Sequence, residues 1–138
     1  MTTAIEPRQV LTCRVGCELF GIDFLWVRDV VFAPAIVAMA DMPAWIAGGM
    51  TMGTDLAPVV DLRARLGFVP HPDGDGGPVV GVHLGPVRAG LRVDGVCDVV
   101  ALRREALDVA VARPFVYGLL RAGERVVEVL DLGELLGR

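Results

Sequence analysis

Five side chains in this sequence could do covalent or metal chemistry: Cys13, Cys17, Cys97, His71 and His83. Their spacing speaks against both. A zinc site draws its ligands from close pairs, and the chain has neither a CxxC nor an HExxH. Cys13 and Cys17 have no histidine near them in sequence, so a thiolate nucleophile would need a base supplied by folding. An odd number of cysteines without a CxxC also argues against a disulfide framework. It fits reduced, packed thiols in the cytosol. There is no lysine, serine or asparagine, and all 13 basic residues are arginine. That removes the P-loop lysine, the Schiff base and the serine nucleophile together. Asp73-Gly74-Asp75-Gly76-Gly77 has the look of a calcium loop but lacks the later glutamate. The other carboxylates stand singly on turns and strand faces, which leaves no acid–base pair. The sequence predicts no catalytic residue, no metal ligand and no cofactor.

The elements that carry these residues read as β-structure. The chain has 138 residues, 54% of them hydrophobic, with 17 glycines and 9 prolines. Apolar alternation predicts strands over 9–15 and 18–23. The stretch 24–32 fits a third strand better than the rival helix. Further strands are expected over 46–52, 56–60, 79–84, 87–93, 96–102, 113–120 and 125–130, with turn residues between them. Met52-Gly53-Thr54-Asp55 fits a hairpin turn of type II′, whose first central position needs φ > 0. Asp61 can cap a short helical turn that Gly67 stops, and Asp131 can cap another over 132–136. The same order of strand, aspartate and capped turn thus occurs twice, a weak internal repeat. Residues 68–78 are dense in turn formers and read as a loop between the halves.

The remaining resource is surface. Trp26, Val27, Val30, Val31 and Phe32 carry more apolar side chain than one face of a small barrel needs. Met39, Met42, Met50 and Met52 gather near Trp45, and methionine and aromatic residues favour both cores and partner surfaces. A net charge of −4 gives no nucleic-acid footprint. The first seven residues are polar and short, unlike a signal peptide. Pro34, Asp41, Pro43 and Gly48-Gly49 interrupt the most apolar span, 30–52, so no membrane helix is expected.

Taken in order, these features resemble the CheW-like adaptor domain of bacterial chemotaxis. The matching residues are Phe20-Gly21-Ile22-Asp23 with Leu25 and Val27, then Asp29-Val30, Pro43, Trp45-Ile46 and Gly48. Pro58-Val59-Val60-Asp61-Leu62-Arg63 follows, then Gly90, Val93-Asp94-Gly95-Val96 and Asp98-Val99. The resemblance runs from about Leu11 to Leu136; its specificity lies in the series, not in any one motif.

The resemblance implies an all-β fold of two packed small five-stranded SH3-like β-barrels, with short helical turns after Val60 and after Leu130. As a single domain over 9–137, the first barrel would take about 9–67, the loop 68–78, the second barrel about 79–130 and the last helix 131–137. It implies no catalysis and no cofactor. The implied partners are the regulatory domain of the histidine kinase CheA and the cytoplasmic tip of a methyl-accepting chemoreceptor, with no nucleic acid and no insertion into the membrane. The implied place is the cytoplasm, recruited to membrane receptor arrays. Val27, Asp29 and Val30 match the region the family turns to the kinase. Met50, Met52, Gly53, Thr54 and Leu56 match the receptor and hairpin region. At the hairpin tip the family usually reads Asn-Leu-Arg-Gly, whereas this chain reads Thr51-Met52-Gly53-Thr54, so Gly53 stands at the arginine position. The alternative reading is a diverged module of the same fold that has lost receptor coupling.

Overall fold

Alternating side chains build the first hairpin where the sequence predicts it. The structure, a computed structural model, describes residues 8–70, 77–110 and 113–137. His71, Asp73 and Asp75 lie outside those residues. β1 (Gln9–Val15) and β2 (Glu18–Asp23) pair antiparallel about Gly16, at φ 62°. The stretch 24–32 is neither one strand nor a helix. The Asp23 carboxylate accepts the Leu25 N–H at 2.9 Å, which bends Phe24–Trp26 into a single 3-10 turn before β3 (Val27–Phe32).

β4 (Ile46–Met52) and β5 (Asp55–Asp61) form the predicted hairpin, with Gly53 at φ 65° in a two-residue turn. Asp61 Oδ1 accepts the Arg63 N–H at 3.1 Å and starts α1 (Leu62–Arg65). Gly67, at φ 88°, ends it. The Phe68 and Gly67 N–H groups bond back to the Arg63 and Ala64 carbonyls at 2.7 and 3.3 Å, the two bonds of a Schellman stop. β6 (Pro78–Leu84), β7 (Val87–Arg92) and β8 (Gly95–Ala101) follow. A 3-10 turn at Arg104–Ala106 leads to the two-residue β9 (Leu107–Asp108), then β10 (Val116–Ala122) and β11 (Arg125–Leu130). Asp131 Oδ1 accepts the Glu134 N–H at 3.0 Å at the head of α2 (Leu132–Gly137).

The strands form two sheets. One has six strands in the order β8-β1-β2-β11-β10-β9, the other five in the order β3-β6-β7-β5-β4. The short β9 makes the first sheet larger than the expected five, and neither strand order closes on itself by hydrogen bonds. The sequence predicts that each half of the chain forms its own barrel, divided at 68–78. The strand order divides the chain differently. The hairpin β1–β2 shares its sheet with β8, β9, β10 and β11 from the other half. The hairpin β6–β7 sits beside β3, β4 and β5. Each sheet repeats the same pairing, antiparallel, antiparallel, parallel, antiparallel, with the parallel pair at β2–β11 in one and β7–β5 in the other. The internal repeat is present, but its two copies have exchanged hairpins.

This exchange explains the three clusters of the core. The largest lies between the sheets, with Cys13, Val15, Phe20 and Ile22 from one against Val60, Val80, Val82 and Leu91 from the other. A second is enclosed by the five-stranded sheet: Met50, Met52, Ala57, Val59 and Val79. A third, Val10, Leu120, Val127 and Val129, is enclosed by the six-stranded sheet. Both faces of each sheet are therefore partly covered, which is why so many strands read as Val-rich runs.

Asp94 fastens the two sheets together at their edge. Its carboxylate accepts the Gly16 N–H at 2.6 Å from the β1–β2 turn and the Arg63 Nε at 3.0 Å from α1. Arg63 is thereby held charged, its pKa raised above the ordinary arginine value first by the hydrogen bond to Asp94. Arg65, the next basic residue of α1, lies 3.9 Å from the Trp45 ring and 4.4 Å from the Phe115 ring and donates to the Leu135 carbonyl at 3.1 Å. One arginine thus ties the connector before β4, the turn before β10 and the C-terminal helix to α1.

Candidate functional site

The enclosed cluster of the five-stranded sheet lies beneath the β4–β5 hairpin that the sequence singles out. Two glycines make room for it. Gly81 and Gly90 face each other across β6 and β7. A Cβ on Gly90 would stand 2.6 Å from Val79 Cγ1 and 3.1 Å from the Met50 sulfur. A Cβ on Gly81 would meet Asp29 Oδ1 at less than contact distance and Met52 Cε at 3.3 Å. The floor is therefore backbone only, and the methionines and Asp29 occupy the space.

The predicted interface residues divide into two groups. Met50 and Met52 are buried, 3% and 4% exposed, so they are core and not the Met-bearing surface that the hairpin was expected to show. Their long unbranched side chains fill the gap above the two glycines. Gly53, Thr54 and Leu56 are exposed at the tip, with Leu56 at 54%. On β3, Val27 and Val30 are half-buried and packed against the core between the sheets, while Asp29 is exposed. β3 and β4 are opposite edges of the sheet, yet its curl brings the hairpin back over β3: Asp29 and Met52 meet at Gly81. The β3 and hairpin regions, distinct in sequence, form one continuous surface.

Sequence reasoning missed two arginines here. The β3–β6 pairing shifts register between Val27 and Asp29, which makes Arg28 the extra residue of a bulge. Arg88 stands opposite His83 on β7. The guanidinium nitrogens of Arg28 and Arg88 come within 3.9 and 4.0 Å of the point where Gly53 would carry a Cβ. In sequence, neither is more than an isolated charge. Only register and curl place them at the hairpin tip. Phe24, Leu25 and Phe32 around β3 are also exposed, Leu25 at 70% and Phe32 at 72%. The exposure of Leu25 has no signal in sequence, because its place on the 3-10 turn is not periodic.

The residues weighed for chemistry are dispersed. Cys13 is buried, and that burial, with a smaller effect of Cys97, pushes its thiol up to about 12, so it stays protonated. Cys17 and Cys97 are exposed. His83 packs edge-on to Trp26, with ring centroids 6.2 Å apart. Among the described residues, no three of His, Cys, Asp and Glu are grouped as a metal site. No described helix is long and apolar enough to cross a membrane.

A family model described as CheW-like domain matches residues 9–138. The chain belongs to the CheW-like domain family. Among its curated relatives, a Chemotaxis protein CheW of Klebsiella aerogenes is 27% identical over 94% of this chain and 81% of the relative. A Chemotaxis protein CheW of Treponema pallidum is 25% identical over 94% of this chain and 82% of the relative. Among solved structures, the scaffolding protein TtCheW from Thermoanaerobacter tengcongensis superimposes with a TM-score of 0.85 at 24% identity, covering 94% of this chain and 92% of that one. The CheW-like fold accounts for the paired sheets, the two capped turns and the parallel strand contact in each sheet.

Proposed function

We propose that this CheW-like chain is a non-enzymatic adaptor that couples chemoreceptors to the histidine kinase CheA in bacterial chemotaxis or a related two-component pathway. The observation that carries this reading is the match of the CheW-like family over residues 9–138, which makes the surfaces of one domain the working parts. The relatives' names, chemotaxis protein and scaffolding protein, agree with it. The kinase regulatory domain is placed on β3 through Val27, Asp29 and Val30, with Phe32 adding exposed apolar area. The receptor's cytoplasmic tip is placed on the hairpin through Gly53, Thr54 and Leu56. Met50 and Met52 support that hairpin from inside and touch no partner. The protein works in the cytoplasm, recruited to receptor arrays by these contacts.

Gly53 favours a second reading, a diverged module that binds the kinase but no receptor. Removing a buried guanidinium–carboxylate pair at that position would cost about 2–5 kcal/mol, or roughly 30- to several-thousand-fold in affinity. Affinities measured side by side for a soluble receptor tip and the CheA regulatory domain separate the two. Binding to both supports the adaptor, and binding to the kinase domain alone supports the diverged module.

A further inference from the structure

We propose that Arg28 and Arg88 together form a carboxylate-binding site at the β4–β5 hairpin tip, and that its occupant is an acidic segment of the receptor's cytoplasmic tip. This rests on the adaptor reading. The bulge at Val27–Asp29 takes Arg28 out of the β-ladder, and its guanidinium comes within 3.9 Å of the Gly53 Cβ position. Arg88, on β7, comes within 4.0 Å of the same point. Gly53 is exposed and has no side chain to fill the place that both guanidinium groups approach. A carboxylate has two oxygens and accepts from two guanidinium groups at once.

The internal neutralisation of this pair is incomplete. Arg88 meets Asp55 at 3.4 Å, with both side chains largely exposed, a contact that contributes little. Arg28 has no ion pair or side-chain hydrogen bond among the described residues. Arg28 therefore keeps a guanidinium with no carboxylate partner among the described residues, beside an Arg88 held only by an exposed pair, on a chain of net charge −4. That contrast selects an acidic partner at this spot and repels one elsewhere. Arg88 also lines an open depression of about 460 Å³ with Asp55, Leu56, Pro58 and Pro86. The occupant is thus an acidic segment, held by two arginines from strands other than the hairpin that bears the family's single arginine.

The test uses the full chain, a soluble receptor cytoplasmic fragment, the CheA regulatory domain and anionic phospholipid vesicles. Arg28→Glu and Arg88→Glu are each expected to weaken receptor binding about tenfold and to flatten its salt dependence. Arg28→Lys and Arg88→Lys retain most of the affinity, and unfolding midpoints stay at the wild-type value, because both side chains are exposed. Arg88→Glu leaves kinase-domain affinity within about twofold, since Val27, Asp29 and Val30 lie on β3 and β6 stands between β3 and β7. Receptor affinity unchanged in both glutamate variants overturns this proposal and leaves the adaptor reading standing. So does an equal loss of kinase affinity in Arg88→Glu, or a loss confined to vesicle binding. A wild-type chain that binds neither protein overturns both.

Discussion

Gly53 adopts φ 65°, a conformation that side chains tolerate poorly, so restoring the family's arginine there is not a simple gain of function. Gly53→Ala is expected to lower stability by about 1 kcal/mol in urea unfolding. Gly53→Arg adds repulsion from the two guanidinium groups already beside it. The methionines next to it behave differently. Met50→Ala removes a buried side chain and is expected to cost about 2–5 kcal/mol. Leu56→Ala, on the exposed side of the same hairpin, should change stability by less than about 1 kcal/mol while weakening receptor binding. An unfolding midpoint that falls for Leu56→Ala and not for Met50→Ala would reverse the assignment of core and surface.

Two devices hold the elements in place, and each can be removed singly. Asp94→Ala strips the acceptor from Gly16 N–H and the charge partner from Arg63 at once, separating the β1–β2 turn from α1. A loss of about 1–3 kcal/mol is expected. Amide exchange should accelerate in the β1–β2 turn and in α1 before it does in β10 and β11. Gly90→Ala tests the glycine floor. The added methyl would press on Val79 and Met50, both parts of the enclosed core, and about 1–3 kcal/mol should be lost to overpacking. The capped turns and hairpins were legible in sequence because Asp61, Asp131, Gly53 and Gly67 act through neighbours a few residues away. The bulge at Arg28 was not, because it exists only against β6.

At the scale of the whole molecule, the exchange of hairpins means that neither half owns a complete sheet. Fragments 1–67 and 68–138 are expected to be unfolded separately by circular dichroism and to regain β-structure when mixed. A fragment that folds alone would contradict the strand order. The pH response also belongs to this scale, because it joins distant elements. Glu128 on β11 is buried, and burial first, then its hydrogen bond to Glu18, raises its pKa from 4.5 to about 7 against the opposing pull of Arg113. The folded state therefore holds a proton that the unfolded chain releases near 4.5. That contribution is present in full below about 4.5 and is lost as pH rises through about 7. Glu128→Gln should flatten stability between these values and exceed the wild type at pH 8, as read from urea midpoints.

The sequence by itself determined most of the strands, the hairpin turns and caps, the repeat and the family, since these follow from alternation, from φ > 0 glycines and from aspartates placed just before helical turns. It also singled out Val27–Val30 and the hairpin. Tertiary structure alone decided which strands share a sheet, because the local signals of a hairpin are the same whichever half it joins. It alone decided that Met50 and Met52 face inward, since alternation sorts residues onto faces without saying which face is covered. And it alone decided that Arg28 and Arg88, sixty residues apart in the chain, stand beside Gly53.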